Sequence, residues 1–177
     1  MPTNDLDPET VVPEGELRFR SPTPSDGEAL WRLAGEVGLD LNSPYAYVLW
    51  GEHFAGTSVV ASVGGDTVGF VTGFRPPEDH DTLFVWQIAV AASTRRSGLG
   101  ARMLDHLLQR TGVSYLEATV TPDNEASQAL FRSVGTRHDA PVDVAPLFAA
   151  DLFPDGHEPE VRFRIGPLRR PRPTTAR

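Results

Sequence analysis

The segment Arg95-Arg96-Ser97-Gly98-Leu99-Gly100 has the residue types and spacing of a diphosphate cradle. A diphosphate is bound by several backbone N–H groups converging at a helix N-terminus, where the helix dipole adds positive potential and no side chain blocks the approach. Gly98 and Gly100 give that access, and Arg95 and Arg96 bring permanent charge. All sixteen basic residues are arginine, so no lysine anchors a phosphate or forms a Schiff base; the absence of cysteine excludes disulfides and thiol catalysis. Two glycines in isolation would describe no more than a tight turn. Here they stand between an apolar run and a helical pattern, which favours the cradle. The G-x-G-x-x-G spacing of a dinucleotide fold, with its acid about 20 residues on, is absent.

The elements that would position this segment follow from periodicity. Leu17 and Phe19 alternate with Arg18 and Arg20 as a strand, and Thr23-Pro24-Ser25-Asp26 is a helix start. Leu30, Leu33, Ala34 and Val37 line one helical face that Gly38 ends, and Ser43-Pro44 starts a second helix over Tyr45 to Phe54. Residues 57–63 and 67–74 flank Gly64-Gly65-Asp66 as a hairpin. The run Leu83 to Val90 suits a central strand covered on both faces. A helix to Gln109 or Arg110, a strand over 115–121, a helix over 123–134 and a closing strand, Val161 to Ile165, complete an α/β order with antiparallel strands first. Residues 15–168 are expected to form one domain, with loose tails at 1–14 and 169–177.

Arg95 to Gly100 after that strand resembles motif A of the GCN5-related N-acetyltransferases, with the pattern [Gln/Arg]-x-x-Gly-x-[Gly/Ala]. Asn124-Glu125-Ala126-Ser127-Gln128-Ala129-Leu130-Phe131 is similar to a second stretch of that family. The resemblance implies an α+β fold with a mixed, mostly antiparallel central sheet, splayed middle strands and flanking helices. It implies acetyl-CoA as co-substrate, with its pantetheine arm in the gap between the splayed strands. The implied contacts are Ile88, Ala89, Val90, Arg95, Arg96, Ser97, Gly98, Leu99, Gly100, Ala101, Asn124, Ser127 and Phe131. Phe131 departs from the tyrosine with which many relatives protonate the leaving thiolate, so the general acid stays unassigned.

Stretches including Asp40 to Tyr45, His53 to Val60, Leu83 to Gln87, Leu116 to Asn124 and His157 to Glu160 look like the diaminobutyrate acetyltransferase family of the ectoine pathway. That resemblance spans roughly residues 17–168 and implies a cytoplasmic homodimer acting on a small diamino acid. Its acceptor amine, lysine-like, needs roughly 4.6 kcal/mol to be neutral at pH 7, so the site must supply a base or lower the pKa. Glu117, on the splayed strand, is the leading base; a solvent-facing strand residue is the alternative. Asp40, between the first two helices, could pair with an ammonium, or it could help cap the second helix with Asn42 and Ser43. Trp86 could stack on the substrate or be a core side chain. Tyr45 falls in the matching stretch. His157 and Glu158 could cap the acceptor pocket or form a surface turn.

The net charge is −8, and outside the four arginines of the last nine residues it is −12, which repels nucleic acid and anionic membranes. No apolar run is long enough for a membrane span, and Met1 to Glu14 lacks the basic start and apolar stretch of a secretory leader. The five histidines (53, 80, 106, 138 and 157) show no paired metal-ligand spacing, so no metal is expected. Two other readings stay open: an acetyltransferase for another amine, and a catalytically silent acyl-CoA-binding module.

Overall fold

The computed structural model describes residues 15–154 and 157–169. Seven strands form one sheet in the order β1-β2-β3-β4-β5-β7-β6. They are β1 (Leu17–Arg20), β2 (Val59–Val63), β3 (Asp66–Phe74), β4 (Thr82–Val90), β5 (Tyr115–Val120), β6 (Val142–Phe148) and β7 (Glu160–Ile165). Among the described residues only β4 and β5 pair in parallel, and every other pair is antiparallel. The mixed, mostly antiparallel sheet expected from the sequence is therefore present.

Two helical layers cover the sheet. One face packs against α1 (Gly27–Glu36) and α2 (Pro44–His53), through Leu30, Leu33, Ala34 and Tyr47 against Val60, Phe70 and Ala89. The other packs against α3 (Leu99–Thr111) and α4 (Glu125–Arg137). Met103, Leu104, Leu107 and Leu108 recur at helical spacing along α3 and are buried, so its polar face is left for solvent. Along β5 the period is two: Leu116, Ala118 and Val120 are buried, while Tyr115, Glu117 and Thr119 on the other face are half-buried.

The start of the first helical unit is held electrostatically. Asp26 accepts from the Thr23 N–H and hydroxyl, at 2.7 and 2.8 Å, and from both arms of Arg20, at 2.7 and 2.6 Å. The Arg20 hydrogen bonds outweigh the cost of burial and, with those from Thr23, lower the Asp26 pKa to about 2.

Three expectations need amendment. β6 was not foreseen; it lies at the sheet edge and contains Pro146, which breaks the alternation that marks an interior strand. The helix expected over 123–134 begins at Glu125, with Asn124 as its cap, and runs to Arg137. Of the expected tails, 1–14 and 170–177 lie outside the described residues, while Arg169 is exposed and pairs with Asp139 at 2.7 Å.

Candidate active site

The parallel pairing of β4 and β5 stops at Val85 and Ala118. Beyond it β5 pairs only with β7, through Thr119 and Val120, while β4 continues along β3 with Ile88, Ala89 and Val90 opposite Val71, Phe70 and Gly69. From Trp86 onward the β5-side edge of β4 has no strand partner among the described residues, and its backbone groups are available to a ligand in the gap. The divergence coincides with a bulge: Thr72 faces Gln87 and Gly73 faces Val85, which leaves Trp86 as the extra residue. Gly73 is required here, because a Cβ on it would lie 2.7 Å from the Phe84 carbonyl oxygen. The bulge reverses the sides of β4. Leu83 and Val85 point to α3 and α4 before it, Ile88 and Val90 after it, and Ala89 faces α1 and α2.

A cleft of about 580 Å³ occupies this gap. Its walls include Asp40 and Asn42 from the loop before α2, Phe84 to Ile88 of β4, Ala118 to Val120 of β5, and Asn124, Ser127 and Phe131 of α4. Phe148, Phe153 and Glu160 border it from the β6–β7 side.

The expected cradle lies at the start of α3. After a 3-10 turn, Ala92–Thr94, Arg96 (φ 62) and Gly98 (φ 75) take left-handed conformations, and Gly98 is the residue immediately before the helix. A Cβ on Gly98 would meet nothing within 4 Å, so the glycine serves backbone conformation and leaves the helix N-terminus open. Arg95 and Arg96 are exposed and form no salt bridge among the described residues. Ser97 donates to the Thr94 carbonyl at 2.6 Å, and Leu99 is buried beneath the loop. Free amides, two uncommitted guanidiniums and the unpaired edge of β4 fit a long, phosphate-bearing thioester.

The substrate-side candidates divide. Asp40, Asn42 and Trp86 line the cleft; Trp86 is 39% exposed and stacks on Trp50 at 4.1 Å, which in turn meets Phe54 at 4.8 Å. Tyr45, 67% exposed, Glu158 and His157 are outside the wall, although His157 stacks on the wall residue Phe153 at 4.0 Å. Glu117 is also outside the wall, between the wall residues Phe84, its register partner, and Ala118. Its carboxylate accepts from Arg164 at 2.9 Å. Asn124 caps α4, its Oδ1 accepting from the Ser127 N–H at 3.0 Å, and also lines the cleft. Phe131 is 2% exposed, and its edge reaches the wall from the core.

Gln87 and Glu160 are among the wall residues that the sequence does not single out. Gln87 is hidden within an apolar run. Glu160, two residues after the predicted Glu158, has a buried Oε2 without a hydrogen-bond partner among the described residues; period-two counting back from the buried Phe163 and Ile165 puts it on the strand face opposite theirs.

Residues 28–136 match the acetyltransferase (GNAT) family model. The chain is 49% identical to the L-2,4-diaminobutyric acid acetyltransferase of Shouchella clausii over 157 residues, covering 86% of this chain and 88% of that one. It is 51% identical to the enzyme of that name from Streptomyces avermitilis over 164 residues, covering 89% and 91%. The chain belongs to the GNAT family, among its diaminobutyrate acetyltransferases. A solved diaminobutyrate acetyltransferase, EctA from Paenibacillus lautus in complex with L-2,4-diaminobutyric acid and coenzyme A, is 43% identical. It superposes with a TM-score of 0.83 over 89% of this chain and 98% of that one.

Proposed function

We propose that the protein transfers acetyl from acetyl-CoA to the 4-amino group of L-2,4-diaminobutyrate, giving N4-acetyl-L-2,4-diaminobutyrate, by direct attack in a ternary complex. One observation carries this reading: a single cleft joins an unpaired strand edge, suited to a thioester, to the carboxylates of Asp40 and Glu160, suited to a substrate with two ammonium groups. The likeness to enzymes of that name supports it.

Bound acetyl-CoA would supply the activated acyl group, held at its phosphates by Arg95, Arg96 and the amides from Ser97 to Ala101, and along its arm by Ile88 to Val90, Asn124, Ser127 and Phe131. Asp40 pairs with the 2-ammonium, and the Asn42 amide donates to the substrate carboxylate. Trp86 covers the aliphatic chain, and the amine's proton passes to Glu117. The neutral nitrogen attacks the carbonyl carbon, backbone N–H groups between Trp86 and Val90 stabilise the oxyanion, and as the C–S bond breaks the nitrogen loses its second proton to solvent, leaving the neutral amide and a thiolate. Phe131 has no acidic proton, so the thiolate takes its proton from water or another group, and the general acid stays unassigned. A second assignment of the base, Glu160, is favoured by its place in the wall and its unpartnered Oε2.

In this reading the enzyme works in the cytoplasm as a homodimer, without metal, in the synthesis of ectoine under osmotic stress. The exposed apolar residues Val144, Leu147 and Phe148 on edge strand β6 support the dimer. The test is thiol release from acetyl-CoA with diaminobutyrate, ornithine, lysine, spermidine and a short peptide in parallel, with regiochemistry by NMR. Strongest turnover with diaminobutyrate, acetylated at N4, is expected. Binding of acetyl-CoA without turnover of any amine would replace the enzyme by a silent acyl-CoA-binding module.

A further inference from the structure

Gln87 uses both ends of its side-chain amide. Its Oε1 accepts from the Tyr47 hydroxyl at 3.0 Å, and its Nε2 donates to the backbone carbonyl of Asp40 at 2.9 Å. Its backbone N–H reaches Thr72 Oγ1 at 3.2 Å, directly after the bulged Trp86. One residue therefore ties the bulge, the buried face of α2 and the loop bearing Asp40.

The arrangement is directional. Tyr47 is 2% exposed and meets Phe70 edge-on at 6.2 Å, so its hydroxyl has a fixed position. Reversing the amide would set its oxygen against the Asp40 carbonyl, two acceptors with no proton between them. The loop has no regular structure from Leu39 to Ser43, and the Asp40 carboxylate has no ion pair among the described residues. Gln87 is thus a fixed support for a loop whose carboxylate is left to a ligand.

We infer that Gln87 is a specificity-determining positioning residue. By holding the Asp40 loop at one place on the cleft wall, it sets where the substrate's second ammonium is received, and so the preference for a diamino acid over a monoamino acid of equal length. The inference rests on the reading of Asp40 as the partner of the 2-ammonium.

The test compares kcat/KM for L-2,4-diaminobutyrate and 4-aminobutyrate, which keeps the acceptor amine and carboxylate but lacks the 2-ammonium. Where turnover is slow, calorimetric Kd values replace it. Gln87→Met, which keeps length but neither donates nor accepts through an amide, should reduce the discrimination between the two substrates roughly tenfold, the scale of one lost hydrogen bond. Tyr47→Phe, which removes only the hydroxyl, should shift it the same way by less and guards against a misfolded Gln87 variant. Asp40→Asn should shift it most. Discrimination that falls in Asp40→Asn but holds in both other variants overturns the role of Gln87 and leaves that of Asp40. Equal losses on both substrates reduce Gln87 to a structural residue. Unchanged discrimination in Asp40→Asn removes the reading of Asp40, and the inference with it.

Discussion

Arg164 and Glu117 face each other across the β5–β7 pair, and the Arg164 Nη1 donates to Glu117 Oε2 at 2.9 Å. The other arm of Arg164 holds Asp79 at 3.0 Å, and its guanidinium lies 4.2 Å from the Tyr115 ring centroid. Burial works against the charged guanidinium, but the hydrogen bonds to Glu117 and Asp79 hold its pKa above the ordinary value. Glu117 therefore has a permanent cation on one oxygen.

If Glu117 receives the amine proton, Glu117→Gln should lower kcat by roughly 100-fold, the lower range for general-base catalysis, with the KM for acetyl-CoA little changed. Steady-state kinetics of Glu117→Gln and Glu160→Gln side by side checks it. A large kcat loss confined to Glu160→Gln would move the base to β7.

Arg95→Ala and Arg96→Ala should each weaken coenzyme A binding by about tenfold, the value of one charge-assisted hydrogen bond. The parent's affinity should also fall more steeply with salt than that of the double variant. Calorimetric titration at two ionic strengths measures both. Unchanged affinity in the double variant would remove the cradle from phosphate binding.

Asp26 gives a stability prediction with a definite sign. Its folded pKa of about 2 lies below the ordinary aspartate value of 3.8. Its contribution is therefore fully present above about pH 4 and is lost as pH falls toward 2, and the shift corresponds to about 2 kcal/mol. Asp26→Asn should cost about that much at pH 7, and the gap from the parent should close between pH 4 and pH 2. Urea unfolding across that range would show it.

Phe148→Asp on β6 should shift the proposed dimer toward monomer in sedimentation velocity, since a charge would enter the apolar edge. A parent that already sediments as a monomer would count against the dimer.

The turn from Arg95 to Gly100 and most elements were legible because each depends on local chemistry: glycine for a left-handed turn, arginine for charge, a period of 3.6 or 2 for burial. Asp40, Asn42, Trp86, Asn124 and Ser127, each singled out in the sequence, line the cleft. Gln87 was not legible, since its importance comes from Tyr47 and Asp40, each more than 30 residues away in sequence. Glu117 was legible as a carboxylate on the splayed strand, but its pairing with Arg164 depends on a β7 register that the sequence does not announce. β6 was missed because an edge strand need not alternate, and Pro146 is tolerated there.

The extra residue at Trp86 works as a parity switch in the strand. Odd-numbered side chains serve the α3–α4 layer up to Val85, and even-numbered ones serve it from Ile88. Replacing Trp86 by another residue preserves this count, whereas deleting it would leave Ile88 and Val90 on the α3–α4 side but restore a regular strand, removing the bulge where the gap begins. The number of residues at this point therefore decides whether the strand bulges where the cleft opens, whichever side chain stands there.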